Sequence, residues 1–133
     1  MPLLRYLAQV LADSGKYEAA MYQIERALSL DPTVSDAAYN YAVYNIQYVD
    51  KLRKAYEDSI IAVSKKGKKK PKIPEYTGGT PYYERAVAVL RPAAERENTK
   101  QYWRLMAKLY ALLGRNAESK DALNRVNSAK EDS

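Results

Sequence analysis

Apolar residues recur every three or four positions along most of the chain, which is the period of amphipathic helices. The longest such segment, 35–65, contains neither Gly nor Pro, and its apolar or aromatic positions run from Ala38 to Val63. At about 1.5 Å per residue, the segment predicts one helix of roughly 45 Å. The pattern therefore predicts an all-α protein that is organised around one unusually long helix.

Two shorter helices are predicted before the long one, within residues 2–32. A turn at Gly15 separates them, because Gly readily adopts the left-handed conformation that ends a helix. Pro32 ends the second helix, since a Pro disfavours helical geometry in the residue before it. Ser35 is then the predicted N-cap of the long helix.

Three further helices are predicted after the long one. Residues 67–80 combine Gly, Pro and Lys without helical periodicity, which predicts a loop. Thr80 is the predicted N-cap of the next helix, which runs from residue 81, and Pro92 inside that helix is expected to introduce a kink near its last turn. The remaining helices are predicted at 100–113 and 116–126, and the polar tail after them is expected to fray.

The absence of Cys and His narrows the chemistry that this chain can perform. It has no disulfide, no thiolate or imidazole metal ligand, and no Cys or His nucleophile–base pair. The carboxylates of Glu18, Glu25, Asp36 and Glu84 are spread over predicted exposed helix faces, without a Gly-rich phosphate loop. We therefore predict no catalytic residue, no metal site, no cofactor and no enzymatic activity.

The excess positive charge lies in one short segment, and outside it the basic and acidic residues balance. This distribution argues against a protein that binds nucleic acid over its whole surface. The segment is predicted to be a solvated linker, a contact for an acidic protein partner, or an electrostatic tether to nucleic acid or an anionic membrane surface. Because the segment lacks Arg and has one aromatic residue nearby, nucleic acid and membrane are the less favoured partners. The lysines of this basic loop are Lys65, Lys66, Lys68, Lys69, Lys70 and Lys72.

The first and last parts of the chain share one pattern of large and small residues around a glycine. Such self-similarity at fixed offsets indicates a repeated helical hairpin. The positions Leu4, Leu7, Ala8, Leu11, Gly15, Ala20, Ile24 and Ala27 of the first copy recur as Trp103, Met106, Ala107, Tyr110, Gly114, Ser119, Leu123 and Val126.

This pattern resembles the tetratricopeptide repeat, a helix–turn–helix unit of about 34 residues with the first-helix pattern W-x2-L-G-x2-Y. The resemblance implies a right-handed α-solenoid of about three units in a single domain. The units are predicted at about 1–34, 35–98 and 99–128.

The middle unit breaks the spacing of the repeat. Lys54 and Asp58 stand where its second helix should present small or apolar residues, and the spacing resumes only at Tyr83 and Ala86. We therefore predict that residues 49–80 are an insertion between the two helices of this unit.

The segment 81–115 also resembles a subgroup of bacterial tetratricopeptide proteins, mainly of the Bacteroidetes–Chlorobi lineage, whose members are often exported. The chain itself has no recognisable signal peptide and no apolar run long enough to span a membrane. A cytoplasmic location is therefore favoured, or a periplasmic one if the sequence is a piece of an exported protein.

The resemblance implies that the first helices of the units line a concave groove for an extended peptide or a partner helix. Since Arg and Tyr commonly anchor interfaces, the leading hypothesis is a protein–protein interaction adaptor, with a solvated helix face as the alternative. A carboxylate clamp for C-terminal peptides is only half matched, because Gln101 and Leu105 stand where that form of groove has basic residues. The predicted partner-binding residues are Arg5, Gln9, Asp13, Tyr39, Asn40, Val43, Ile46, Gln47, Arg104 and Lys108.

The C-terminal end lacks a predicted polar helix that would cover the last unit. Leu123 and the flank of the unit that contains Trp103 are expected to be partly exposed there. An exposed apolar end suggests self-association, or a place in a larger assembly, as a third and structural hypothesis.

Overall fold

The computed structural model describes residues 2–64 and 73–132 of the 133-residue chain. These residues form six α-helices and one isolated β-bridge between Thr99 and Lys130, with no strand among them. The prediction of an all-α protein with one long helix is therefore confirmed. The helices are α1 (Pro2–Asp13), α2 (Tyr17–Leu30), α3 (Ser35–Ser64), α4 (Thr80–Glu97), α5 (Lys100–Leu112) and α6 (Asn116–Ser128).

Two tight turns connect α1 to α2 and α5 to α6 in the same way. Gly15 and Gly114 have φ angles of +78° and +74°, a backbone conformation in which any residue with a Cβ atom is strained. In each turn the Gly N–H donates to the carbonyl three residues back, at 2.9 and 3.0 Å, and the N–H of the following residue donates to the carbonyl five residues back, at 2.8 Å. The glycine that the sequence placed at both positions is thus required by the backbone.

Helix α3 separates two hydrophobic cores, because opposite faces of its first half are both buried. The first core is formed with α1 and α2 and contains Ala37, Tyr41 and Tyr44 of α3. The second core is formed with α4, α5 and α6, and it contains Ala42 and Val49 of α3. Beyond Val49 no residue of α3 is fully buried among those described, so the helix leaves the cores at this point.

Residues 73–79, which we call the returning segment, lead into α4 and lie back along this extension. The rings of Tyr56 in α3 and Tyr76 in the returning segment have centroids 5.3 Å apart. Gly79, just before α4, is buried against Val49. Helix α4 consequently begins beside the point where α3 leaves the cores, and it packs along the first half of α3. The division of the chain into three repeat units stays a prediction.

Gly79→Ala is expected to lower the free energy of unfolding by about 1–3 kcal/mol through overpacking. Its backbone angles, φ −82° and ψ −15°, are ones that Ala adopts freely. A Cβ there would lie 2.5 Å from Val49 Cγ1 and 3.2 Å from Tyr83 Cε2, so the cost is steric. Urea unfolding of the single variants and of the double variant with Val49→Ala measures it. The double variant should be at least about 1 kcal/mol more stable than the sum of the two losses predicts; strictly additive losses would contradict this close approach.

Two local expectations were wrong. Ser35 does not cap α3 with its side chain; it is the first residue of that helix, is buried, and donates to Glu97 Oε2 at 3.0 Å. Arg96 Nη2 in turn donates to Ser35 Oγ at 2.8 Å, so this serine joins α3 to the end of α4. The polar tail also does not fray as far as Asp132, because the backbone of Lys130 pairs with Asn98 and Lys100 and the side chain of Asp132 accepts a hydrogen bond from the Gln101 N–H.

Candidate functional site

Helices α1, α3 and α5 present polar side chains to one another along one face of the molecule, which we call the odd-helix face. Asp36 of α3 links all three helices. Its carboxylate lies 3.4 Å from Arg5 Nη1 of α1, and it accepts a hydrogen bond from the Tyr102 hydroxyl of α5 at 3.4 Å. The face is therefore held together by side chains from residues far apart in sequence.

Burial, and secondarily the negative charges of Asp36 and Glu97, raise the pKa of Tyr102 well above its ordinary value. The Tyr102 hydroxyl therefore keeps its proton at neutral pH and remains the donor to Asp36. Its ring also packs against that of Tyr39, with centroids 5.1 Å apart. These contacts fix the position of Tyr39, which is only half-buried.

A cavity of about 330 Å³ opens between Tyr39 of α3 and the facing side of α5. It brings together three of the predicted partner-binding residues, Tyr39, Arg104 and Lys108. Gln101 and Leu105 complete its lining. The cavity thus combines an aromatic ring, an aliphatic side chain and two cationic groups, which is a lining suited to an amphipathic segment that carries negative charge.

The tail after α6 holds a carboxylate next to this cavity. Asp132 Oδ1 accepts a hydrogen bond from the Gln101 backbone N–H at 2.8 Å, and Asp132 Oδ2 lies 3.4 Å from Arg104 Nη1. The tail is fixed there by its backbone, since Lys130 N–H donates to the Asn98 carbonyl at 2.9 Å and the Lys100 N–H donates to the Lys130 carbonyl at 3.0 Å. A cationic side chain of the cavity therefore already contacts one carboxylate.

The other predicted partner-binding residues lie outside this cavity. Gln9, Asp13 and Gln47 are exposed, Asn40 and Val43 are half-buried, and Ile46 is buried in the second core. Arg5 is engaged by Asp36 rather than open to a ligand, and its Nε is buried without a hydrogen-bond partner among the described residues. Of the predicted partner-binding residues, only Tyr39, Arg104 and Lys108 therefore line the same cavity.

Three contributors to the odd-helix face are not among the predicted partner-binding residues. Asp36 and Gln101 occupy equivalent positions in the second and third predicted units, so the repeat register could have identified them. Asp132 lies beyond the last helix and carries no periodic signal. Its role depends on how the tail returns to α5, which no local pattern encodes.

The basic loop lies outside the described residues, because residues 65–72 are not among them. The described part of the predicted insertion lines a cavity of about 630 Å³ between α3, the returning segment and the end of α5. Its one arginine, Arg53, is paired with Asp50 at 3.1 Å and with Glu57 at 3.7 Å. The tether hypothesis therefore stays a prediction.

Apolar side chains are exposed at the C-terminal end, as predicted for Leu123, and also on α1 at the other end of the helix series. At the C-terminal end Trp103 is buried beneath Arg125, whose guanidinium carbon lies 4.7 Å from the ring centroid, and Leu123 is 53% exposed. On α1, by contrast, an outward-facing stripe is exposed. This stripe consists of Leu3, Tyr6, Leu7 and Val10. Self-association stays a prediction.

Among the described residues, no helix is both long enough and apolar enough to cross a membrane. The compartment and the resemblance to a Bacteroidetes–Chlorobi subgroup stay predictions.

Comparison with known proteins assigns the first hairpin to a family. Residues 2–34 match the family model described as tetratricopeptide repeat. No curated protein matches the sequence. Among solved structures, the chain is similar to a thermophilic tetratricopeptide repeat protein from Thermus thermophilus, with 19% identity and a TM-score of 0.39, over 97% of this chain and 74% of that one. At that score the structural likeness carries no argument about function.

Proposed function

Since residues 2–34 of this chain match the tetratricopeptide repeat family, whose repeats are in general protein–protein interaction modules, we propose that the chain is an adaptor that binds a partner through the odd-helix face. The proposed ligand is an extended peptide segment that carries an acidic side chain next to an apolar one. Proteins of this family are typically scaffolds without enzymatic activity, and the proposal assigns no chemistry to the chain.

The cavity between Tyr39 and α5 is the observation that carries this proposal. Arg104 and Lys108 are both exposed at its edge, so they can meet a carboxylate without a large desolvation cost. Tyr39 and Leu105 are half-buried and offer an apolar wall. Tyrosine and arginine are also the side chains that most often dominate the affinity of an interface.

The contact of Asp132 supports an acidic ligand in particular. Its carboxylate takes one backbone N–H and one guanidinium, which is a common way to bind a carboxylate. Because Arg104 is 57% exposed despite this contact, it keeps donors that can reach a second carboxylate. We expect the ligand to bind beside the tail, along the side of α5 that carries Lys108.

The double reversal Arg104→Glu and Lys108→Glu is expected to invert the charge preference of the cavity. Selection from a displayed library of random peptides should enrich Asp and Glu with the parent protein and Lys and Arg with the reversed variant. Reversing a charge at the rim of an interface typically changes the association rate. Truncating an anchor residue acts differently, and we expect Tyr39→Ala to lower the affinity for the selected acidic peptides by about tenfold or more.

The matched control carries Arg26→Glu and Lys120→Glu, which change the net charge equally. Both side chains are exposed and belong to α2 and α6, away from the cavity. The control should keep the acidic preference of the parent. If the control shifts the preference as much as the cavity variant does, or if neither shifts it, this adaptor surface is wrong.

A further inference from the structure

A second cavity lies on the other side of α3, where α2, α3 and α4 meet. Its volume is about 180 Å³. The residue at its inner side, Asn45, occupies the register position that holds Leu11 in the first copy of the repeat pattern and Tyr110 in the last. A polar side chain much smaller than that of Tyr thus stands where an apolar or aromatic one is repeated elsewhere.

Asn45 is fully buried and only half satisfied. Its relative exposure is 0%, and its Nδ2 donates to the Tyr41 carbonyl at 2.8 Å. Its Oδ1 has no hydrogen-bond partner among the described residues. A buried amide oxygen without a hydrogen-bond donor is destabilising. A ligand that places an N–H or O–H group at this position would remove that cost.

Further acceptors surround the same cavity. Glu25 of α2 accepts a hydrogen bond from the Tyr41 hydroxyl at 2.8 Å. Glu18, two turns earlier on α2, accepts one from Tyr48. Burial first, and then the hydrogen bond to Glu25, raise the pKa of Tyr41 to about 12, so its hydroxyl stays a donor to that carboxylate at neutral pH. Each carboxylate retains a second oxygen that can accept from a ligand.

One cationic side chain lines the cavity, and it does not neutralise these acids. The guanidinium carbon of Arg85 lies 4.8 Å from the centroid of the Tyr82 ring. Among the described residues, Arg85 forms no ion pair with Glu18 or Glu25 within 4.0 Å. Two carboxylates therefore face one guanidinium, and the lining as a whole favours a cation.

We propose that this cavity binds the primary ammonium group of a lysine side chain from a partner protein. The ammonium would donate to Asn45 Oδ1 and to Glu25, while Glu18 adds negative charge at the mouth. An ammonium is compact and brings three donors, which matches a small site rich in acceptors better than the broad planar guanidinium does. Since water takes about 30 Å³ in the liquid, the cavity has room for an ammonium and part of its methylene chain. The proposal does not rest on the odd-helix face, which uses other residues.

Titration of the whole chain with n-butylammonium, followed by the side-chain amide NMR signal of Asn45, tests the ammonium site. We expect a saturable shift of that signal, and a shift with n-butanol of equal size would overturn the proposal. A lysine-containing pentapeptide with glycine on both sides should reproduce the shift, whereas the same peptide with norleucine should not. Binding of the free amine without binding of the lysine peptide would exclude a lysine of a partner as the source.

Three variants separate the proposed site from a non-specific effect of charge. Asn45→Leu restores the residue type of the first repeat copy, so we expect it to fold and to lose affinity for n-butylammonium by about tenfold or more. Arg85→Ala removes the competing cation and should raise the affinity. Glu25→Gln should lower the affinity, whereas Glu118→Gln, on α6, is the matched control and should leave it unchanged. Equal affinity of the parent and Asn45→Leu, or occupation of the cavity by water alone at saturating amine, would overturn the proposal.

Discussion

Leu90→Ala is expected to lower the free energy of unfolding by about 2–5 kcal/mol, which is the range for truncating a buried leucine. Leu90 has a relative exposure of 0% and lies in the second core, which α3 and α4 share with α5 and α6. A cavity there would loosen the attachment of the whole second half of the chain to α3. Because the chain has a single Trp, buried in the same core, its fluorescence reports urea unfolding of this region.

Leu123→Ala is the matched control, because it removes the same atoms from a side chain that is 53% exposed. We expect it to cost about 0.5 kcal/mol or less. If Leu90→Ala costs no more than Leu123→Ala, then α4 does not pack on α3 as described. The comparison matters for function, since Tyr39 and α5 meet only if α3, α4 and α5 keep their packing.

The helices and most of the core were predictable because their signals are local. Gly15 and Gly114 end helices through their own backbone conformation, and the positions of Trp103 and Met106 follow from a repeat with a fixed spacing. Such signals need no knowledge of distant residues. The predicted exposure of Leu123 follows from the same register.

The contacts that shape the candidate sites were not predictable in the same way. Asp132 reaches Arg104, and Ser35 reaches Glu97, across separations of 28 and 62 residues. Polar side chains at such positions have no periodicity, so nothing in the sequence marks their partners. Leu7 is a related case, since it has an apolar repeat position but belongs to the first helix and is left 40% exposed. The exposure of Leu7 depends on which helices pack against α1, and the spacing of apolar residues within α1 does not determine it.

Helix α3 connects the two proposed sites and gives them opposite charge preferences. Tyr39, on the odd-helix face, lies beside Arg104 and Lys108, whereas Asn45 lies beside the carboxylates of α2. In both proposals the long helix acts through its first half, where both of its sides are packed. A partner with separate acidic and lysine-bearing segments could use both sites, and the variants proposed for each site distinguish them.

The protein is expected to lose stability steeply above about pH 10, because tyrosines replace phenylalanine throughout its packing. The chain has 13 Tyr and no Phe. Burial and hydrogen bonds to carboxylates raise the pKa of several of these phenols, and that of Tyr41 is raised to about 12. Those with a raised pKa are Tyr41, Tyr44, Tyr48, Tyr83 and Tyr102.

The sign follows from the protons that each state binds. Between about pH 10 and the raised pKa values, the unfolded chain has released phenolic protons that the folded chain still holds. Unfolding therefore releases protons, and the free energy of unfolding falls as the pH rises through this window. Below about pH 9 these phenols are protonated in both states, so their contribution to stability is fully present there.

Urea unfolding at a series of pH values between 8 and 12 measures the effect. With several phenols contributing, we expect a slope steeper than the roughly 1.4 kcal/mol per pH unit that one proton produces. Tyr41→Phe should make the slope shallower, because it removes one of the phenols that the fold keeps protonated. Tyr22→Phe, at a ring that is 59% exposed, is the matched control and should leave the slope as it is. A flat profile up to pH 12, or equal changes of slope in the two variants, would contradict the buried hydroxyl contacts that hold α2, α3 and α5 together.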